Sequence, residues 1–257
     1  MRLLVLGGTT EASQLARLLA ADPRFAAMLS YAGRTAQPRA QPITCRIGGF
    51  GGVAGLADWL AGEKITAVID ATHPFAAQIS ANAVEACRRL ALPLASIIRP
   101  AWQPQAGDHW LSVGSAAEAA EALGPVPQRV FLTLGRLELQ AFSSAPQHFY
   151  IARTIDPPGD ASLPPNIRFL FSRGPFSAED EAALLRREEV SVLVSKNSGG
   201  SATYGKIEAA RRLELPIIMI ARPDKPTGHA VSDANAAYRW LDHLYTSHAG
   251  PRSERGV

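Results

Sequence analysis

The stretch Arg2-Leu3-Leu4-Val5-Leu6-Gly7-Gly8-Thr9-Thr10-Glu11-Ala12 decides the reading of the fold. An apolar run of strand length stops at paired glycines, and residues 10–21 then place Leu15, Leu18 and Leu19 at helical spacing. A strand that turns through glycine into a helix aims backbone N–H groups and the positive helix end at one spot, and glycine lets an anion approach closely. Counted from Gly7, the match to G-x-G-x-x-G is partial, because Thr9 and Ala12 stand at its second and third glycines. Gly7, Gly8, Thr9 and Thr10 therefore form a candidate dinucleotide- or phosphate-binding turn. A plain tight turn capped by Thr9 or Thr10 fits the same residues.

Outward from this turn, short β-branched runs alternate with Ala-, Leu-, Glu- and Arg-rich segments, the pattern of parallel sheets covered by helices. Strands are expected over 3–6, 26–31, 43–47, 66–69 and 94–97, with helices over 10–21, 53–61 and 76–90. From Arg99 to Asp108 there are two prolines, a glycine and Trp102 without a period, which marks a domain boundary. The alternation resumes with strands over 130–133, 149–154, 168–172, 190–194 and 217–220. Helices are expected over 115–123, 137–143, 178–188, 203–213 and 233–245, and a Pro-rich loop over 156–165. The fold class is α/β, with two open parallel-sheet (Rossmann-like) domains at 1–98 and 112–246, a linker at 99–111 and a frayed tail at 247–257. No clear sequence repeat relates the halves.

Composition narrows the function. With 47% apolar and 19% charged residues in 257, the chain is globular and neither disordered nor coiled coil. A formal charge of +3 suits an anionic ligand, yet no Lys/Arg run exceeds two, which argues against nucleic acid. Two cysteines, Cys45 and Cys87, give neither a disulfide framework nor a Cys-rich zinc site, and no metal is expected. Four apolar residues at the start are too few for a signal peptide, and no stretch reaches the roughly 18 apolar residues of a membrane span. The expected address is cytoplasmic, away from membranes.

Further candidates lie at strand ends. Tyr31-Ala32-Gly33-Arg34-Thr35 holds no acid for a ribose hydroxyl, while Arg34 can fork onto a 2′-phosphate and Thr35 can donate to it. That favours NADPH, against the plainer reading of Arg34 as a solvated loop residue. Asp70-Ala71-Thr72-His73-Pro74-Phe75 follows the fourth strand, where open sheets bind ligands. His73 suits acid–base or positioning work, and a helix cap by Thr72 or His73 explains the segment as well. Ser195-Lys196-Asn197-Ser198-Gly199-Gly200, followed by Thr203, Tyr204 and Lys206, forms a second anion-cradling turn, or else an ordinary loop with a solvated lysine. Gly135-Arg136 and Arg222-Pro223 add cations at strand ends. Trp102 fits a stacking platform or a buried hinge aromatic.

The ordered set Leu6–Ala12, Gly33-Arg34-Thr35, Asp70–Ala76 and Lys196–Gly200 resembles the precorrin-6A reductase family of cobalamin biosynthesis, over about residues 1 to 245. The resemblance implies hydride reduction of one carbon–carbon double bond in a polycarboxylate tetrapyrrole, giving precorrin-6B, with a ligand cleft between the domains. It also implies NADPH held by Gly7, Gly8, Thr9, Thr10, Gly33, Arg34, Thr35, Thr72, His73 and Pro74. The substrate carboxylates would meet Arg136, Lys196, Ser198, Gly199, Gly200, Thr203 and Lys206, and neighbouring pathway enzymes would be transient partners. No residue stands out as proton donor: His73, Tyr204 and water are equal candidates. The same motifs fit an NADP-dependent reductase of another small anionic substrate, or a non-catalytic NADPH sensor, and leave open whether the macrocycle is metal-free or holds cobalt.

Overall fold

The computed structural model describes residues 1–33, 39–157, 159 and 162–249, apart from the side chains of 248 and 249. It divides into two units: Met1–Arg99 together with the chain from Asp224 onward, and Pro100–Pro223. The first unit runs β1 (Arg2–Leu6), α1 (Thr10–Ala20), β2 (Ala26–Tyr31), β3 (Thr44–Ile47), α2 (Gly52–Gly62), β4 (Ala67–Asp70), α3 (Ala77–Arg89) and β5 (Leu94–Ile97). Leu3 and Val5 of β1 pack with Leu15 and Leu19 of α1, while Leu4 and Leu6 pack with Leu56 and Leu60 of α2. Burial on both faces is why this strand reads as unbroken apolar sequence.

The second unit begins with β6 (His109–Val113), α4 (Ala116–Ala122), β7 (Arg129–Thr133) and a 3-10 helix at Arg136–Ser144. It continues with β8 (Phe149–Thr154), β9 (Ile167–Phe171), α5 (Ala178–Arg187), β10 (Val192–Lys196), a 3-10 turn at Ser201–Thr203, α6 (Gly205–Arg212) and β11 (Pro216–Ile220). The chain then returns to the first unit with β12 (His229–Val231) and α7 (Ala234–Ala249).

Each sheet has six strands, ordered β3-β2-β1-β4-β5-β12 in the first unit and β9-β8-β7-β10-β11-β6 in the second. Every pairing is parallel. Five strands of each sheet share one wiring, in which β7 takes the place of β1 and β10 that of β4, while the sixth differs: β12 follows its sheet-mates in the chain and β6 precedes them. The strand order therefore reverses between β1 and β4 in one sheet and between β7 and β10 in the other, the edge at which open α/β sheets take ligands. A repeat that the letters hide is present in the topology.

Four expectations are corrected. Residues 99–111 are not a linker: β6 pairs with β11 from Pro216↔His109 to Ile220↔Val113, and Trp102, 8% exposed, belongs to the second core. Residues 112–246 are not one unit either. β12 lies parallel to β5, and Ala234, Ala237 and Leu241 of α7 are buried in the first core. A three-residue strand is too short to show a period, so its partner could not be read from it. The expected helix over 203–213 is a 3-10 turn followed by α6 from Gly205, where only glycine fits because a Cβ would stand 2.6 Å from the Phe176 carbonyl oxygen. The tail expected to fray from Ser247 is helical to Ala249. Beyond it, and at 158, 160 and 161 of the expected 156–165 loop, the chain lies outside the described residues.

Lys206 is also corrected. Expected at an anion cradle, it is only 6% exposed, with its Nζ 5.7 Å from the Trp102 ring centre. It shares this interior with the paired Arg153 and Glu181, whose Nη2 and Oε2 are 2.7 Å apart. Desolvation, helped by the charge of Arg153 and opposed by Glu181, pushes the ammonium down to about 7.

Two outcomes follow from this packing. Leu241→Ala should cost about 2–5 kcal/mol, and hydrogen exchange should quicken in α1 and β5 more than in β10 and β11. Lys206 binds fewer protons folded than unfolded between about pH 7 and its ordinary value of 10.5, so stability should climb with pH across that window. Lys206→Met should remove that slope and stabilise the chain at pH 7 by about 1–4 kcal/mol in urea titrations.

Candidate functional site

In the first unit, the turn after β1 is shaped by three adjacent residues. Gly7 donates its N–H to the Ser30 carbonyl at 2.9 Å, and a Cβ on it would stand 2.6 Å from Leu29 Cδ1. Gly8 has φ +117°, with open space where a side chain would begin. Thr9 caps α1: its Oγ1 accepts the Ala12 N–H at 3.2 Å and donates to the Ala71 carbonyl at 2.7 Å. Among the described residues, the N–H groups of Gly8, Thr9 and Thr10 have no acceptor, and Gly8 and Thr10 are exposed. That set of donors at a helix start suits a diphosphate.

Glu11, in the first turn of α1, is paired with Arg99 at 2.7 Å. Burial works to raise its carboxyl, but the hydrogen bond and charge of Arg99, with its own backbone N–H and the Thr9 hydroxyl, together hold the group below the usual range. The expected linker hid Arg99, whose partner is 88 residues away.

The turn after β4 is bonded on all sides. Asp70, 1% exposed, accepts the Thr72 N–H at 3.0 Å and the Thr72 hydroxyl at 2.6 Å on Oδ1. Lys225 stands against its other oxygen at 3.3 Å. The Phe75 N–H donates to His73 Nδ1 at 3.3 Å, so the neutral ring carries its proton on Nε2. α3 starts later than expected: its N-cap position is Ala76, without a side-chain cap, and Pro74 and Phe75 form a turn ahead of it. Neither Thr72 nor His73 caps that helix. Gly33, φ +74°, lies beside Ile47 and Gly48, and the 2′-phosphate candidates Arg34 and Thr35 fall outside the described residues.

In the second unit, the loop after β10 is held by a side chain the sequence reading passed over. Asn197 Oδ1 accepts the Trp102 N–H at 2.8 Å and its Nδ2 donates to the Trp102 carbonyl at 2.9 Å, a two-bond bracket on one peptide. Arg222 donates to the Asn197 and Pro100 carbonyls at 2.8 and 3.0 Å. Gly199, φ +70°, fits where a Cβ would stand 2.0 Å from the Pro100 oxygen. Lys196 is paired with Glu138 of the 3-10 helix that opens at Arg136, which brings the β7 and β10 ends together. Ser198 Oγ lies 3.4 Å from Thr203 Oγ1, and Gly200 precedes the turn that holds Thr203. Tyr204 follows that turn: its ring packs on Trp102 and its hydroxyl accepts from Arg211 at 2.8 Å. Among the described residues, no cluster of His, Cys, Asp and Glu could hold a metal ion, and no helix is long and apolar enough to cross a membrane.

Comparison with known proteins agrees with this geometry over almost the whole chain. The family model described as precorrin-6x reductase CbiJ/CobK matches residues 2–242. A precorrin-6A reductase of Rhodobacter capsulatus is 51% identical over 244 residues, covering 94% of this chain and 96% of its own. One from a Sinorhizobium species is 50% identical, covering 93% and 94%. A cobalt-precorrin-6A reductase of Salmonella typhimurium is 28% identical, covering 93% and 96%. The solved structure of CobK precorrin-6A reductase superposes with a TM-score of 0.89 at 48% identity, covering both chains fully. The chain belongs to the precorrin-6x reductase family, oxidoreductases of cobalamin biosynthesis.

Proposed function

We propose that this protein reduces one carbon–carbon double bond of metal-free precorrin-6A to give precorrin-6B, with NADPH as reductant, in the cytoplasm. The observation that carries the cofactor reading is the unpaired set of N–H groups at Gly8, Thr9 and Thr10, at the reversal point of the first sheet. The metal-free substrate is favoured by the higher identity to relatives named precorrin-6A reductase than to the cobalt-precorrin one.

The bound cofactor supplies the hydride; the chain binds, orients and polarises. Gly8, Thr9 and Thr10 would donate to the diphosphate, with α1 directing its positive end there. Arg34 and Thr35 are the proposed contacts of the 2′-phosphate. The Thr72–Pro74 turn would border the nicotinamide, with His73 ordering that turn through its bond from Phe75. On the second unit, Lys196, Arg136 and the Ser198–Gly200 loop with Thr203 are the proposed partners of substrate carboxylates. Lys196 carries its charge already oriented by Glu138.

Anaerobic mixing of the protein and precorrin-6A with NADPH or NADH, followed by visible absorption, tests this reading. NADPH should be oxidised in step with loss of the precorrin-6A spectrum and bind at least about tenfold tighter than NADH, about 1.4 kcal/mol. Arg34→Ala should erase the preference, and equal affinities in the wild type would defeat it.

Lys196→Ala probes the second unit. The substrate KM should rise by about tenfold while NADPH affinity stays near wild type. A loss of NADPH affinity instead would move this loop to the cofactor.

A further inference from the structure

Lys225 approaches the β4 turn from the segment that returns the chain to the first unit. Its Nζ lies 3.0 Å from Thr72 Oγ1 and 3.3 Å from Asp70 Oδ2, with side-chain exposures of 13% for Lys225 and 1% for Asp70. The segment has little freedom. Pro223 and Pro226 fix φ on either side of it. The Gly228 N–H donates to Ser96 Oγ at 3.0 Å, and a Cβ on Gly228 would stand 2.2 Å from the Leu94 oxygen.

What Lys225 holds is the backbone between two strand ends. Thr72 Oγ1 gives its proton to Asp70, accepts from Lys225 and lies 3.3 Å from Ser80 Oγ. Ala71, between them, donates to the Leu6 carbonyl at 2.9 Å and accepts from Thr9 at 2.7 Å. Asp70, Ala71 and Thr72 are thus fixed by the cap of α1 on one side and by Lys225 on the other. No other cation is paired with Asp70 among the described residues. A buried ion pair adds little net stability over an apolar filling of the same volume; its yield here is the position of a turn.

We infer that Lys225 is a positioning residue of this reductase: by clamping Asp70 and Thr72 it sets the Thr72–Pro74 turn that receives the nicotinamide nucleotide, and so governs cofactor affinity. The inference rests on the reading that the nucleotide lies along this sheet edge. Its role differs from that of a packing residue, because the charge and its two acceptors matter and the volume does not.

The test uses the full chain, NADPH fluorescence titration and steady-state kinetics with precorrin-6A. Lys225→Gln should raise Kd and KM for NADPH by about tenfold or more and leave the precorrin-6A KM within about twofold, while Lys225→Arg returns the NADPH Kd to within about threefold of wild type. Thr72→Val, which deletes one acceptor and keeps the charge pair, should show the same split on a smaller scale, and decides the matter if Lys225→Gln does not fold. NADPH binding unchanged in Lys225→Gln or in Thr72→Val overturns the inference while leaving the cofactor reading standing. Both KM values rising together with a lowered melting temperature, unrescued by arginine, also overturns it in favour of simple packing. If the wild-type chain binds neither NADPH nor NADH, the cofactor reading fails and this inference falls with it.

Discussion

The hydroxyl of Thr9 joins the ends of β1 and β4, the two strands between which the first sheet reverses its order. It accepts from Ala12, which begins α1, and donates to Ala71, which follows β4. One side chain thereby satisfies an orphan donor of a helix start and fixes the distance between neighbouring turns. Because Thr9 serves Ala12, the N–H groups ahead of it remain for a ligand, and Gly8 leaves their approach open. Replacing this residue with one of equal size but no hydroxyl would remove both bonds at once and leave the β4 turn to its ties with Leu6, Asp70 and Lys225.

The second unit repeats the wiring of five strands but not the contacts at the reversal point. Where the first sheet's reversal point offers unpaired backbone donors, the second joins β7 and β10 through Lys196 and Glu138 and brackets Trp102 with Asn197. In the proposed reading, that mixture of charges would suit spread carboxylates better than a single dense phosphate. Its interior carries a further charge at Lys206, which points away from ligand chemistry and into the core.

Legibility in the sequence followed the range of the interactions. β1, α1 and the turn between them were readable because burial on both strand faces and a helical period leave marks within about a dozen residues. The β4 turn was readable for the same reason. β12 was not, since three residues carry no period, and β6 was masked by Pro100, Pro104 and Gly107 just ahead of it. The site residues divide the same way. Glycines at turns announce themselves, whereas Arg99 and Lys225 look like solvated loop cations until partners 88 and 153 residues away are known. Lys206 was legible in principle: it lies three and four residues before Ala209 and Ala210, on the face that Ile207 also helps bury.

The placement of β12 and α7 has a consequence for how the molecule is made. A ribosome releases β1 through β5 before the second unit, yet that sheet lacks its sixth strand and the α7 cover over α1 until β12 and α7 have followed. The second sheet, by contrast, draws all six of its strands from the continuous segment Pro100–Pro223. Birth order and completion order are therefore opposite: the half translated first is finished last, and Asp70 meets its cation only after Lys225 has been made.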